Sequence, residues 1–184
     1  MTIRERSNPG QSEQTLKEEM QKAGFVVYLV TDVFNKKERS NLLRLSKPYL
    51  EELILNGRRY PGKQTKNLVN NGSFRLYNER LETGFKKASG LNFNANKSWI
   101  NLTTGKKEDL NWHNHPVPWS GVYYLKTPFY SKGTLFQSQR GGEIKINAPE
   151  NSLLVFPGGF YHSAPVSPVP FLRFRRYTMA IDFV

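Results

Sequence analysis

Residues 111–125 read NWHNHPVPWSGVYYL and residues 156–162 read FPGGFYH, and these two stretches hold all three histidines of the chain. His113 and His115 are two positions apart, so an extended backbone places both imidazoles on one face, where they can share a metal ion. His162 can complete such a site from a distant strand. Because the chain contains no cysteine, the strong ligands left are histidine and carboxylate, which predicts a hard or borderline metal.

The size and charge of the chain limit what it can be. Its 184 residues, of which 38% are apolar, predict one domain with a single core. No stretch approaches eighteen apolar residues, and residues 1–14 lack the apolar centre of a signal peptide, so we expect a cytoplasmic protein with no membrane partner. The formal charge of +12 and the pI near 9.9 indicate an acidic partner, either nucleic acid or protein, although a basic, soluble surface also explains them.

The first half of the chain is predicted to be mainly helical. Residues 1–12 are polar and indicate a flexible tail, and residues 13–22 indicate a short helix. The run FVVYLV at residues 25–30 indicates a buried strand. Asn35, followed three positions later by Glu38, forms a capping-box pattern that predicts the start of the first long helix.

That helix carries an apolar stripe that continues to Ile54, and Pro48 is expected to kink or divide it. Residues 57–72, GRRYPGKQTKNLVNNG, predict a long mobile loop, which serves either as a substrate loop or as a plain solvated connection. A second helix is predicted over residues 76–88, ending near Gly90.

From residue 99 onward the pattern changes to short strands. The runs are rich in apolar or aromatic residues and cover residues 99–102, 120–125, 133–136, 144–148, 153–156 and 177–184. Two helices followed by about six strands predict a mainly β, α+β fold, in which the helices support one side of a β-sandwich or barrel.

Four segments together resemble the iron(II) and 2-oxoglutarate-dependent oxygenases. They are WIN at residues 99–101, HNH at residues 113–115, SGVYYL at residues 120–125, and LVFP at residues 154–157 with His162 after it. The likeness is greatest to the prolyl-hydroxylase-like group, in particular its small phage and bacterial members that carry HxH. It covers about residues 97–184.

The resemblance implies a double-stranded β-helix, or jelly roll, supported by N-terminal helices within one domain. Residues 1–12 would be the tail, residues 13–96 the helical support with the substrate loop, and residues 97–184 the catalytic core. The implied cofactors are Fe(II) and 2-oxoglutarate, with ascorbate as a candidate reductant. No catalytic residue is expected beyond the metal ligands.

The resemblance also implies roles for individual residues. His113 and His162 would bind the iron, and the final strand would supply a basic residue, Arg176, for the distal carboxylate of 2-oxoglutarate. Tyr124 would help to hold the same group. The remaining predicted cofactor-binding residues are Thr178 and Asn101.

Strand parity supports the choice of Arg176. The two faces of an extended final strand are Arg176, Thr178, Ala180 and Asp182 on one side and Tyr177, Met179, Ile181 and Phe183 on the other. The first face has small and polar groups around a cation, as a pocket for an anionic cofactor requires, and the second suits a core against the helices. A guanidinium can bind both oxygens of a carboxylate. Arg173 and Arg175 are assigned to the rim, and a structural ion pair is the alternative role for Arg176.

Position 115 departs from the pattern, because most of these oxygenases have Asp or Glu there. With His115 as the third ligand, the site has three neutral ligands and one negative charge fewer, which weakens Fe(II) binding and raises the reduction potential of the metal. Alternatively, His115 lies behind the ligands and an outside carboxylate or anion completes the site. Asp109 is the nearest upstream acid, but it lies off an ideal strand geometry, and we favour His115.

The predicted reaction is hydroxylation of an amino-acid side chain in a protein or peptide, with proline as the leading candidate, coupled to oxidative decarboxylation of 2-oxoglutarate to succinate and carbon dioxide. Residues 58–60 would form a lid, and Trp112, Trp119 and Tyr123 would wall the site. The alternatives are a nucleic-acid-directed 2-oxoglutarate oxygenase, a cupin-type three-histidine dioxygenase, and a catalytically degenerate metal-binding interaction module. The sequence leaves the target and the oligomeric state open.

Overall fold

Two antiparallel β-sheets packed face to face form the body of the protein in the computed structural model. The structure describes residues 26–55, 58–104, 112–128, 133–138, 142–164 and 175–184, with side chains given for all of these except residues 55 and 58–61. The strands are β1 (Tyr28–Val30), β2 (Glu51–Leu55), β3 (Arg58–Gln64), β4 (Ala95–Thr103), β5 (Trp119–Lys126), β6 (Thr134–Gln137), β7 (Glu143–Ile146), β8 (Leu153–Pro157), β9 (His162–Ser163) and β10 (Arg176–Phe183).

The larger sheet has seven strands in the order β1-β8-β5-β10-β4-β3-β2, and the smaller has three in the order β7-β6-β9. The C-terminal strand β10 lies in the middle of the larger sheet, between β5 and β4, and all eight of its residues are buried. The predicted mainly β fold of two antiparallel sheets with supporting helices is confirmed.

Two helices cover one face of the larger sheet, α1 (Lys36–Ser46) and α2 (Arg75–Ser89). The predicted capping box is present at the start of α1, where the Asn35 side chain accepts from the Glu38 N–H and the Glu38 carboxylate accepts from the Asn35 N–H. Helix α2 ends as predicted at Gly90, whose φ of 74° is left-handed and whose N–H donates to the Lys86 carbonyl. The part of the chain that the structure describes has no helix with the length and apolarity needed to cross a membrane.

The prediction for residues 50–64 was wrong. Helix α1 stops at Ser46, and Pro48 lies in a short 3₁₀ turn, Lys47–Tyr49, rather than in a kinked helix. The chain then forms the hairpin β2–β3 at the edge of the larger sheet. Proline ends a helix because its ring clashes with the preceding turn, and the leucines that follow were mistaken for a continuing helical stripe. The segment predicted as a loop over residues 57–72 therefore begins with a strand.

The larger sheet has a core on each face. On the helix side, the alternate β10 residues Tyr177, Met179, Ile181 and Phe183 pack with Phe85 and other apolar residues of the helices. On the other side, Tyr124, Leu154 and Phe156 pack with Phe136 and Ile146 of the smaller sheet. The predicted parity of the final strand is thus confirmed for its apolar face, and its polar face points into the space between the two sheets. The predicted tail and the predicted helix over residues 13–22 lie outside the described residues. The predicted strand over residues 25–30 is present as β1, Tyr28–Val30, but its three residues are only half-buried.

Candidate metal and cofactor site

The three histidines converge at one end of the space between the sheets. A ring nitrogen from each of His113, His115 and His162 lies within 4.8 Å of those of the other two. Strand β9 pairs with β6, and His113 extends this pairing as an isolated bridge to His162. The bridge has two backbone hydrogen bonds, from the His113 N–H to the His162 carbonyl (3.1 Å) and from the His162 N–H to the His113 carbonyl (2.9 Å). Backbone pairing therefore fixes two of the three imidazoles.

A glycine fixes the third imidazole. The His115 N–H donates to the Gly158 carbonyl over 2.8 Å. A Cβ at Gly158 would lie 2.3 Å from the Val117 carbonyl oxygen and 2.9 Å from that of His115. The Pro-Gly-Gly turn after β8 thus allows the backbone at residues 115–117 to approach closely, which a side chain at position 158 would prevent.

Hydrogen bonds orient two of the imidazoles. In each ring the Nδ1 atom has a protein partner, and the Nε2 atom points away from that partner. His162 Nδ1–H donates to the Phe160 carbonyl over 3.0 Å, and His115 Nδ1–H donates to the Asp182 carboxylate over 2.7 Å. The Nε2 atom of His115 is buried and has no hydrogen-bond partner among the described residues. Buried polar atoms are rarely left unsatisfied without a reason. A metal ion bound by the three imidazoles would satisfy this nitrogen, so the residues fit such an ion.

Burial keeps the His162 imidazole deprotonated at neutral pH. The pKa of His162 is lowered from 6.5 to about 3, mainly by loss of hydration and also by the neighbouring His113 and His115, against the opposite effect of the hydrogen bond to the Phe160 carbonyl. Metal ions bind neutral imidazole, so protons do not compete strongly at this position.

The metal-free protein is expected to lose stability as the pH falls from about 6.5 toward 3. In that range the unfolded chain protonates His162 and the folded chain does not, so the free energy of unfolding falls by up to about 1.4 kcal/mol per pH unit. Urea unfolding in the presence of a chelator at several pH values measures this slope. His162→Gln should flatten it, and an unchanged slope in that variant would contradict the assignment.

Arg176 lies on the same face of the larger sheet as Asp182, which contacts His115. It is 2% exposed, its Nη2 donates to the Gly133 carbonyl over 2.7 Å, and its Nε has no partner among the described residues. No described carboxylate pairs with it. Burial lowers the pKa of Arg176 to about 10, partly offset by Tyr124, so the guanidinium is charged at neutral pH. A buried cation without a counter-ion is costly, and the site fits an anionic ligand.

The other predicted cofactor residues form one row across the sheet. Asn101 on β4 pairs with Thr178 on β10, which pairs with Tyr124 on β5. Directly opposed residues of neighbouring strands point to the same face, so these side chains line the space next to Arg176. The guanidinium carbon lies 5.5 Å from the Tyr124 ring centre, and the Tyr124 hydroxyl shares a hydrogen bond of 2.6 Å with Thr134. Asn101 accepts a hydrogen bond from Gln64.

Two of the predicted wall residues lie on the wrong face. Trp119 and Tyr123 alternate with Ser120, Val122 and Tyr124 along β5 and pack in the helix-side core. Trp119 contacts Phe85, for example, at a ring-centre distance of 5.6 Å. The prediction followed the abundance of aromatics near the histidines and ignored strand parity. The backbone of residues 58–60 lies in β3, their side chains lie outside the described residues, and so does Asp109.

The sequence reading missed two residues that contact the histidines. Trp99 stacks on His115 with ring centres 5.5 Å apart and an interplanar angle of 11°. Asp182 accepts from His115 and from the Ser120 hydroxyl, at 2.7 and 2.9 Å. Strand parity had placed Asp182 on the same face as Arg176, and this placement could have indicated a role in the site, but the sequence analysis assigned none to Asp182.

No family model and no curated protein matches the chain in sequence. Solved structures do match its fold. The non-heme alpha-ketoglutarate-dependent epimerase SnoN of nogalamycin biosynthesis is 11% identical, with a TM-score of 0.67 over 93% of this chain and 81% of SnoN. A 2OG-Fe(II) oxygenase family oxidoreductase from Burkholderia pseudomallei is 14% identical, with a TM-score of 0.66 over 97% of this chain and 93% of that one.

A second SnoN structure, in complex with Fe3+, alpha ketoglutarate and nogalamycin RO, is 10% identical with a TM-score of 0.64, over 93% of this chain and 82% of that one. At these identities the likeness concerns the fold. The protein therefore has the double-stranded β-helix fold of 2-oxoglutarate and Fe(II)-dependent oxygenases.

Proposed function

We propose that the protein is an Fe(II)- and 2-oxoglutarate-dependent dioxygenase that hydroxylates an amino-acid side chain in a protein or peptide, with proline as the first candidate. One observation carries the oxygenase proposal. A cluster of three imidazoles and the buried Arg176 guanidinium, which has no carboxylate partner among the described residues, both face the space between the same two sheets. The first suits a divalent metal and the second suits a carboxylate.

In this proposal His113, His115 and His162 hold the iron, and Arg176 holds the distal carboxylate of 2-oxoglutarate. Bound iron would chelate the 2-oxo acid end of the co-substrate and supply the oxygen chemistry that couples its decarboxylation to hydroxylation. Two attachment points fix the orientation of the co-substrate, which is the part of catalysis that positioning provides. Ascorbate remains a proposed reductant for the iron.

Aromatic and apolar side chains of the two sheets pack against the ligand rings and hold them in place. His162 packs edge-on against Phe156, with ring centres 4.7 Å apart, and next to Phe136 at 6.1 Å. Leu154 and Ile146 continue this apolar lining from the two sheets. A dry surrounding strengthens the electrostatic interaction between Arg176 and a bound carboxylate.

The proposed target rests on the similarity of the HNH and YYL segments to the prolyl-hydroxylase-like group and on the charge of +12, which favours acidic protein or peptide partners. A small-molecule substrate is the second candidate. It is favoured by the similar fold of SnoN and of the carbocyclase SnoK, both from nogalamycin biosynthesis. Nucleic acid, the cupin-type reaction and the interaction module remain alternatives, and the cytoplasmic location stays a prediction.

The purified protein is expected to convert 2-oxoglutarate to succinate in the presence of Fe(II) and oxygen, slowly alone and faster with its substrate. Succinate release, followed with a panel of acidic peptides that carry proline, tests both the oxygenase reaction and the proposed peptide target. A peptide that accelerates release and gains one oxygen atom by mass spectrometry supports the proposed target. Oxygen consumption without any need for 2-oxoglutarate would contradict the reaction and favour the cupin-type dioxygenase.

A further inference from the structure

Asp182 is a buried carboxylate with an unusual set of partners. Its side chain is 7% exposed, and it accepts hydrogen bonds from Ser120 Oγ and His115 Nδ1. Lys97 lies opposite Asp182 on β4, but its side chain is exposed. Among the described residues, no lysine or arginine approaches the Asp182 carboxylate within 4.0 Å. A buried anion with two hydrogen bonds and no cation requires a compensating charge.

The far side of the His115 ring offers a place for that charge. The ring is 10% exposed and stacked on Trp99, and its Nε2 is buried without a partner among the described residues. With its proton on Nδ1 for Asp182, the imidazole presents the Nε2 lone pair to the cluster formed with His113 and His162. A divalent ion bound there would satisfy the unpaired nitrogen and, through the ring, would balance the charge of the Asp182 carboxylate, which has no lysine or arginine partner among the described residues.

We infer that Asp182 is a positioning residue for the metal. Its carboxylate holds His115 in the tautomer and orientation that bind the ion, and it supplies the negative charge that a site of three histidines lacks. This inference rests on the proposed metal site and goes beyond it. A carboxylate behind a ligating imidazole makes that imidazole a stronger donor and holds its orientation. Asp182 thus supplies, from behind the His115 ring, the negative charge that a ligating carboxylate at position 115 would supply directly.

Metal affinity tests the inference without activity. We would measure Co(II) and anaerobic Fe(II) binding to the metal-free protein by competition with a chelator. Asp182→Asn is expected to bind each ion about 10- to 100-fold more weakly than wild type. Ser120→Ala should lose less, because the carboxylate and its contact with His115 remain. Asp32→Asn, a matched change at an exposed position, should bind like wild type.

A second background distinguishes a role through His115 from a structural one. In a His115→Asp background the ligand position itself carries a carboxylate, and the imidazole through which Asp182 acts is gone. Adding Asp182→Asn should then weaken metal binding much less than it does in the wild-type background. A loss of similar size in both backgrounds would show that Asp182 only supports the fold, and would overturn the inference.

A measurement on the unaltered protein covers the case in which Asp182→Asn does not fold. Zn(II) is a diamagnetic probe, and nuclear magnetic resonance of histidine labelled with ¹⁵N reports which ring nitrogen binds it. The inference requires Nε2 of His115 on the metal and a hydrogen-bonded proton on Nδ1. Binding through Nδ1, or no change at His115, would overturn it. If the wild type binds none of these ions, the proposed function fails; if it binds them and Asp182→Asn binds equally well, only this inference fails.

Discussion

His113→Ala is expected to lower Fe(II) affinity by at least about 100-fold and to abolish turnover of 2-oxoglutarate. Loss of a group that only supports a ligand lowers metal affinity by up to about 100-fold, and loss of the ligand itself should cost at least as much. His113 is the best histidine for this test because it is more exposed than His162, whose ring packs in the inter-sheet core. Its replacement removes a ligand and leaves the buried packing intact. Chelator competition under anaerobic conditions measures the affinity.

Asn114→Ala is the matched control for this variant. Asn114 lies between the two histidines, and its exposed side chain donates to the Gly159 carbonyl over 3.3 Å. We expect it to retain Fe(II) affinity within a small factor. Retention of wild-type affinity in His113→Ala would contradict the three-histidine site and leave His115 and His162 with an outside ligand.

Arg176→Met is expected to separate stability from function. The affinity for 2-oxoglutarate should fall by at least about 30-fold, the equivalent of about 2 kcal/mol, because the distal carboxylate loses its buried partner. The metal-free variant should nevertheless be at least as stable as wild type, since an apolar chain of similar length replaces a desolvated cation that has no counter-ion in the part of the chain that the structure describes. Equilibrium unfolding and 2-oxoglutarate binding to the Fe(II)-loaded protein measure the two quantities.

The neighbouring residue supplies the control. Arg175 precedes the strand and is exposed, whereas Arg176 is buried, so Arg175→Met changes the same chemistry outside the pocket and should leave 2-oxoglutarate binding unchanged. If Arg176→Met instead unfolded the protein and Arg175→Met weakened co-substrate binding, Arg176 would be a structural residue and the carboxylate site would lie elsewhere.

Local chemistry explains which parts of the fold were predictable. The capping box at Asn35 and the left-handed Gly90 are decided by a few neighbouring residues, and the start of α1 and the end of α2 lie where they were predicted. The alternation of β10 predicted its apolar face correctly because a period of two leaves a clear pattern in eight residues. The hairpin β2–β3 was missed because the leucines after Pro48 suit a helix or a strand, and pairing with β4, about 40 residues later in the chain, decided between them.

The same distinction applies to the site. The three histidines were identified from their spacing and their scarcity, and the structure brings them together. The contact between Asp182 and His115 joins residues 67 positions apart, and only the order of strands in the sheet makes them neighbours. Trp119 shows how residue type alone can mislead. An aromatic residue near the histidines indicated a wall of the site, but its position on β5 places the ring in the core against the helices.

The most direct test of the account is an anaerobic titration of the metal-free protein, first with Fe(II) and then with 2-oxoglutarate, followed by visible absorption. A 2-oxo acid chelated to Fe(II) gives a charge-transfer band, so the titration reports the metal and the co-substrate together without any knowledge of the target. The account predicts a band that saturates with one 2-oxoglutarate per iron and that is lost in Arg176→Met but kept in Arg175→Met. Fe(II) binding with no band on addition of 2-oxoglutarate would contradict it.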